Sequence, residues 1–154
     1  MKEGIKINGS FILKLYDKDG KLKDERAKHN LIVNAALSEI TGLVGDTGTK
    51  TAFTYLALGT GTTSANATDT ALETEIEDSG LERAAATVSQ QTTTVTEDTL
   101  RLQEAFTATG SKAVSEIGVL NAASDGTLLG HQVFTALAVE STDVLTMQYN
   151  FKFA

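Results

Sequence analysis

The chain has no cysteine and no proline. Without cysteine there is no disulfide framework, no thiolate nucleophile and no cysteine–zinc site, and the redox compartment stays open. Without proline the loops are not stiffened by a fixed φ, and edge strands lack one common device against pairing with another chain. Histidine occurs only twice, as His29 and His131. Cations are in the minority, with 13 Lys and Arg against 20 Asp and Glu and a formal net charge of -7. A protein that coats nucleic acid needs clustered Lys and Arg to displace counterions, so no nucleic-acid partner is expected. No apolar run approaches the ~20 residues that cross a bilayer. The opening Met-Lys-Glu-Gly-Ile-Lys-Ile-Asn lacks the apolar core of a signal peptide. The expectation is a product without a membrane partner that stays in the cytoplasm where it is made.

What is present amounts to one domain. At 154 residues and 41% hydrophobic composition, the chain can bury roughly 70% of its unfolded surface around a single core. Basic residues gather between Lys2 and Lys28 and acidic ones between Asp69 and Glu82. That asymmetry reads as a solvated surface.

Period-2 patterning dominates. Phe11, Leu13 and Leu15 alternate with Ile12, Lys14 and Tyr16, and Asp17-Lys-Asp-Gly20 supplies hairpin turn chemistry before a return strand over 21–26. Residues 1–10 form an arm ahead of this hairpin, and 11–154 a single β-rich domain. Leu31-Ile-Val33 is β-branched and apolar. Asn34 then stands where a side chain can cap a helix, whose stripe is Ala36, Leu37, Ile40, Leu43 and Val44 and whose end is Gly45. This stripe is expected to face a core. A strand follows at Phe53–Leu58. Thr70-x-x-Glu73 has capping-box spacing, with Leu72 and Ile76 four apart, and predicts one or two helical turns before Ser79-Gly80. Beyond Leu81 the pattern predicts strands at 84–89, 92–97, 100–107, 114–120 and 128–134, with an Asp125-Gly126 turn. The last strand alternates Leu145, Met147, Tyr149, Phe151 and Phe153 with polar residues. The fold class is therefore mainly β: a β-sandwich or open barrel plugged by one amphipathic helix, with a short helical turn and strand edges left available for pairing.

Chemical motifs are weak. Gly59-Thr-Gly-Thr-Thr63 lacks the Lys-Ser/Thr ending of a phosphate loop and the third glycine of a dinucleotide fingerprint, so it reads as a tight turn after a strand. Asp17-Lys-Asp-Gly20 is short of ligands for calcium. Neither histidine has a spacing that marks a triad or a metal site. The carboxylates fall in loops and turns rather than at strand positions facing across a cleft, as glycoside hydrolysis would require. Glu73, Glu75, Glu77 and Asp78 read as a solvated acidic run. Asn66-Ala-Thr68 matches a glycosylation sequon without a secretion signal beside it. No catalytic residue, cofactor, metal or small-molecule substrate is assigned.

Five pieces, taken in order, carry a resemblance: Asn30-Leu-Ile-Val-Asn-Ala-Ala-Leu37, Tyr55-Leu-Ala-Leu-Gly-Thr-Gly-Thr-Thr63, Thr68-Asp-Thr-Ala-Leu-Glu73, Glu116-Ile-Gly-Val-Leu-Asn121 and Gly126-Thr-Leu-Leu-Gly130. Together they span most of the chain, which resembles a family of small virion structural proteins of tailed bacteriophages. Related sequences are regarded both as capsid decoration (cement) proteins and as tail-fibre or baseplate parts. The resemblance implies a β-tulip fold assembled as a homotrimer on the major capsid protein, at the outer surface of the virion. Tail, baseplate or fibre attachment is the alternative. On this reading Lys2, Ile5, Ile7 and Phe11 of the arm region would reach a neighbour by strand addition. Thr60, Thr62, Thr63 and Asn66 would form a contact loop.

Overall fold

The structure is a computed structural model, and it describes residues 4–154. It is mainly β, with nine strands and one helix among the described residues. The strands are β1 (Ile7–Tyr16), β2 (Leu22–Ile32), β3 (Tyr55–Gly59), β4 (Ala84–Ala85), β5 (Thr87–Gln91), β6 (Thr99–Thr107), β7 (Lys112–Leu120), β8 (Leu128–Val139) and β9 (Val144–Phe153), with α1 (Asn34–Gly45) after β2. All pair antiparallel in the order β4-β3-β7-β8-β2-β1-β9-β6-β5.

The sheet curls into a nearly closed barrel because its two edges belong to one stretch of chain. β4 pairs with β3 and β5 pairs with β6, with only Ala86 between them. The Ala86 N–H bonds the Thr54 carbonyl at 2.8 Å at this corner. Where β2 leaves β8, backbone pairing is confined to Leu31 and Ile32. Side chains bridge the rest of the seam: Arg26 Nε donates to the Thr135 carbonyl (2.9 Å), Lys28 Nζ to Val133 (3.1 Å) and Gln132 Nε2 back to His29 (2.8 Å). The edges expected to stand open are thus joined at one place and bridged by long polar side chains at the other, a common protection for strand edges.

The alternation read from β1 and β9 holds. Phe11, Leu13, Leu15, Leu145, Met147, Tyr149 and Phe151 all face the core. β7 differs, since every residue from Val114 to Leu120 is buried. One of its faces lines the core, and the segment between β3 and β4 covers the other. The turn after β1 forms as expected: Gly20 takes φ +81° and Asp17 Oδ1 accepts the Asp19 and Lys21 N–H groups.

Four expectations need correction. First, α1 has Val33 as its N-cap, with no side-chain capping bond, and the Asn34 N–H is satisfied by the Ala67 carbonyl at 2.8 Å. Second, the helix, which contacts β8, does not turn its whole stripe to the core. Ala36 and Gly42 are buried, whereas Leu37, Leu43 and Val44 are 49%, 40% and 84% exposed. Third, residues 70–77 form no helix, because the Glu73 N–H that a capping box would direct to Thr70 is bonded to Glu116 instead. Fourth, residues 92–97 are a loop, not a strand. Its Thr93, Thr94 and Val95 N–H groups converge on the Asp98 carboxylate at 2.9–3.0 Å, which outweighs the β-propensity of the threonines.

Candidate functional site

The segment Thr60–Ile76 leaves the end of β3, crosses the outer face of β7 and β8, and returns beside β3 through the Gly59–Glu75 bridge. Leu72 and Ile76 anchor it, 7% and 4% exposed, and the Ile76 N–H bonds the Leu58 carbonyl. Its floor is polar. The side chain of Glu116 on β7 is fully buried and accepts from every direction. Oε1 takes the N–H of Gly61 (2.9 Å) and of Thr74 (2.7 Å). Oε2 takes the N–H of Glu73 (3.0 Å) and His131 Nε2 (2.8 Å). The other ring nitrogen of His131, Nδ1, lies 2.8 Å from Asp69 Oδ2. Asp69 Oδ2 also receives the Asn66 N–H at 2.7 Å, closing a turn in which Asn66 Oδ1 accepts from the Thr68 N–H and hydroxyl.

The Gly61, Thr74 and Glu73 N–H groups make Glu116 an acceptor, and Asp69 accepts from Asn66 through the oxygen that faces the ring. A His131 protonated on both nitrogens is the state that satisfies both contacts. Burial pushes the imidazolium toward the neutral form, but the bonds from Glu116 and Asp69 outweigh it and hold the His131 pKa above its ordinary value. Burial likewise pushes Glu116 up, and the bonds from His131, Thr74, Glu73 and Gly61 reverse the sign. Asp69 is held low in the same way, by the Asn66 N–H and His131 against burial.

This explains the glycine pair. A Cβ on Gly59 would collide with the Glu116 carboxylate, and one on Gly61 would lie 2.5 Å from Glu116 Oε1 and 2.6 Å from the Glu73 Cβ. The Leu-Gly-Thr-Gly motif makes room for a buried carboxylate rather than for a phosphate.

The acidic run has specific partners as well. Glu73 Oε2 accepts the Thr62 and Thr63 N–H groups at 2.7 Å, and Oε1 the Thr63 hydroxyl at 2.7 Å, bonds that hold its pKa low. Glu75 forms a two-pronged pair with Arg83 at 2.7 and 2.6 Å, while Arg83 Nη1 also donates to the carbonyls of Ala122 and Asp125. Asp78 pairs with Lys112. The loop is held at both ends and from below.

Of the residues assigned to contacts, Thr62, Thr63 and Asn66 are exposed on this loop and Thr60 is half-buried beneath it. Lys2 lies outside the described residues. Ile5 is 79% exposed ahead of β1. Ile7 is half-buried and paired with Phe153. Phe11 is corrected: it is 1% exposed, packs on Phe134 with ring centroids 5.4 Å apart, and belongs to the core. Strand addition through Ile7–Ile12 is corrected too, because β1 is paired along both sides, with β2 and β9. Sequence reading missed Glu116 and His131 as partners. The available signal was a glutamate and a histidine in otherwise apolar strands, each set among residues that leave a charge no solvent.

A hollow of about 220 Å³ lies beside His131, lined by Thr63, Ser64, Asp69, Ala71 and Glu73. Both ring nitrogens face carboxylates, Nε2 toward Glu116 and Nδ1 toward Asp69. A second hollow, about 230 Å³, is almost wholly apolar. It lies where the last turn of α1 meets Phe53, Phe151 and Phe153, with Leu43 and Val44 on its lip. Among the described residues no group of three or more His, Asp or Glu side chains is arranged to hold a metal ion. Among the described residues no helix is long and apolar enough to cross a membrane. Compared with protein-family models, curated proteins and solved structures, the chain matches none.

Proposed function

We propose that this chain is a capsid decoration protein of a tailed bacteriophage, docking as a homotrimer on the major capsid protein at the outer surface of the head. The observation that carries this reading is the apolar hollow at one end of the barrel. Leu43, Val44 and Phe153 stand 40%, 84% and 39% exposed around it, and a cluster of this kind on a folded domain is the signature of a surface covered by another chain. The resemblance of the five segments gives that partner its identity: a sister copy, and through it the shell. The pinned Thr60–Ile76 loop supports the same reading, since a contact loop ordered before docking loses little entropy on binding.

The mechanism is mechanical. Each copy contributes a modest interface, and a trimer engaging several capsid subunits at once gains from effective concentration, so the assembled set resists pressure from packaged DNA. No cofactor, small-molecule substrate, nucleic acid or membrane enters it. A stained gel of purified virions tests the reading. Copies in proportion to the major capsid protein are expected. A handful per particle would move the protein to the tail, baseplate or fibre attachment, and absence from particles would overturn a virion role altogether.

A further inference from the structure

The His131 site sits beneath the Thr60–Ile76 loop, and its hydrogen bonds tie that loop to the barrel. Thr60–Ile76 has two kinds of attachment. At its Glu73–Ile76 end the bonds to Glu116, Leu58 and Arg83 involve backbone groups or a permanently charged guanidinium. Thr60–Thr63 is held by Thr74, Glu116, Ser115 and Glu73, and Ala67 by the Asn34 N–H. The Asn66–Asp69 turn is tied to β8 by the contact of Asp69 with His131. That one tie is made by a group that titrates near neutrality.

We propose that His131 is a pH-sensitive latch: as an imidazolium clamped between Glu116 and Asp69 it holds the Asn66–Asp69 turn against β8, and loss of one ring proton loosens that turn while Thr60–Thr63 and Glu73–Ile76 stay in place. The atom balance is simple. A neutral imidazole keeps one N–H, and Glu116, fully buried, has the stronger need of it. The proton therefore leaves Nδ1 to solvent, reached through the hollow lined by Thr63, Ser64 and Ala71. Nδ1 then presents a lone pair to Asp69 Oδ2 at 2.8 Å, two acceptors in contact. Asp69 is 27% exposed at its side chain and can turn outward to water, releasing the Asn66 N–H that it accepts.

The charged groups facing the ring are consistent with this. β7 contributes Glu116 and the loop contributes Asp69, with Glu73 lining the same hollow. β2 places Leu31 opposite His131 and brings no charge there, and β3 carries no acidic or basic residue. Only carboxylates surround the ring, so its proton is held past the ordinary range of a histidine and the latch opens on the alkaline side. The device is independent of what the loop docks onto, so its test needs no partner.

Two measurements on the isolated chain decide it: ring ¹⁵N spectra of His131 across pH 5.5 to about 9.5, and amide exchange of residues 60–76 corrected for intrinsic rates. Expected are both ring nitrogens protonated at pH 6, a titration above the ordinary histidine value, and loss of protection at Asn66–Asp69 over the same interval while Glu73–Ile76 stays protected. Asp69→Asn keeps an acceptor for Nδ1 but removes its charge. It should move both the ring titration and the loop release to lower pH by the same amount. A neutral His131 at pH 6, or loop protection that ignores the ring titration, or an Asp69→Asn variant that moves one without the other, would each overturn the proposal.

Discussion

At the residue scale, one buried carboxylate sets the rules for its neighbours. Glu116 is tolerable inside the molecule because four donors meet its four lone-pair sites. Gly59 and Gly61 are glycines because a methyl group would stand where that carboxylate is. The oxygen cannot retreat without abandoning its donors, so Gly61→Ala should cost about 1–3 kcal/mol of stability in urea titrations. Gly45→Ala, at a helical position whose new methyl would meet only Thr47 at 3.4 Å, should change stability by less than ~1 kcal/mol and in the favourable direction.

The pH profile follows from the same residues. His131 is raised, so its contribution is complete below its ordinary 6.5 and is lost as pH rises through the higher folded value. Glu116 and Asp69 are lowered from 4.5 and 3.8, so theirs are complete above those values and are lost as pH falls through the folded ones. Thermal unfolding should therefore show a plateau between about pH 4.5 and 6.5 with a decline on each side. In His131→Gln the alkaline decline should shrink.

At the element scale, the helix and the first strand differ most from their sequence patterns in consequence. The stripe on α1 is real in spacing, yet only its Ala36 side reaches the core, because the helix contacts β8 and its last turn overhangs the apolar hollow. Val44→Glu should leave the melting temperature of the isolated chain nearly unchanged, since Val44 is 84% exposed. On the proposed trimer, the same change should abolish self-association in sedimentation velocity. A variant that associates as the unaltered chain does would remove this face from the proposed interface.

Truncation separates arm from strand. Only Lys6 among residues 4–6 makes a backbone tie, to Ala154, so deletion of residues 1–5 should leave circular dichroism and melting intact. Deletion through Ile12 removes half of a strand paired on both sides and should prevent folding.

At the scale of the whole molecule, closure of the barrel is a long-range event. Residues 84–89 read as one threonine-containing strand, yet the stretch is shared between β3 and β6, strands far apart in sequence. Nothing local marks Ala86 as a corner. The same reason hid the site: Asp69, Glu116 and His131 lie in three separate segments, and their meeting depends on β7 and β8 pairing in register, which sets Gly118 opposite His131. The β1–β2 hairpin, β9 and the Asp125-Gly126 turn were legible because period-2 burial and turn chemistry act over a few residues. The helical turn at Thr70 and the strand at 92–97 were misread because single side chains, Glu116 and Asp98, captured the backbone donors on which those elements would have depended.

Composition and alternation by themselves determined a mainly β domain with one helix, since burial on one side of a strand must be written every second residue. They also placed the turns at Gly20 and Asp125-Gly126. Tertiary structure alone decided which strands close the sheet, that Glu73, Glu75 and Asp78 of the acidic run have bonded partners, and that His131 lies between two carboxylates beneath the loop. Each depends on groups brought together across long stretches of chain, where pairing and desolvation outweigh local preference.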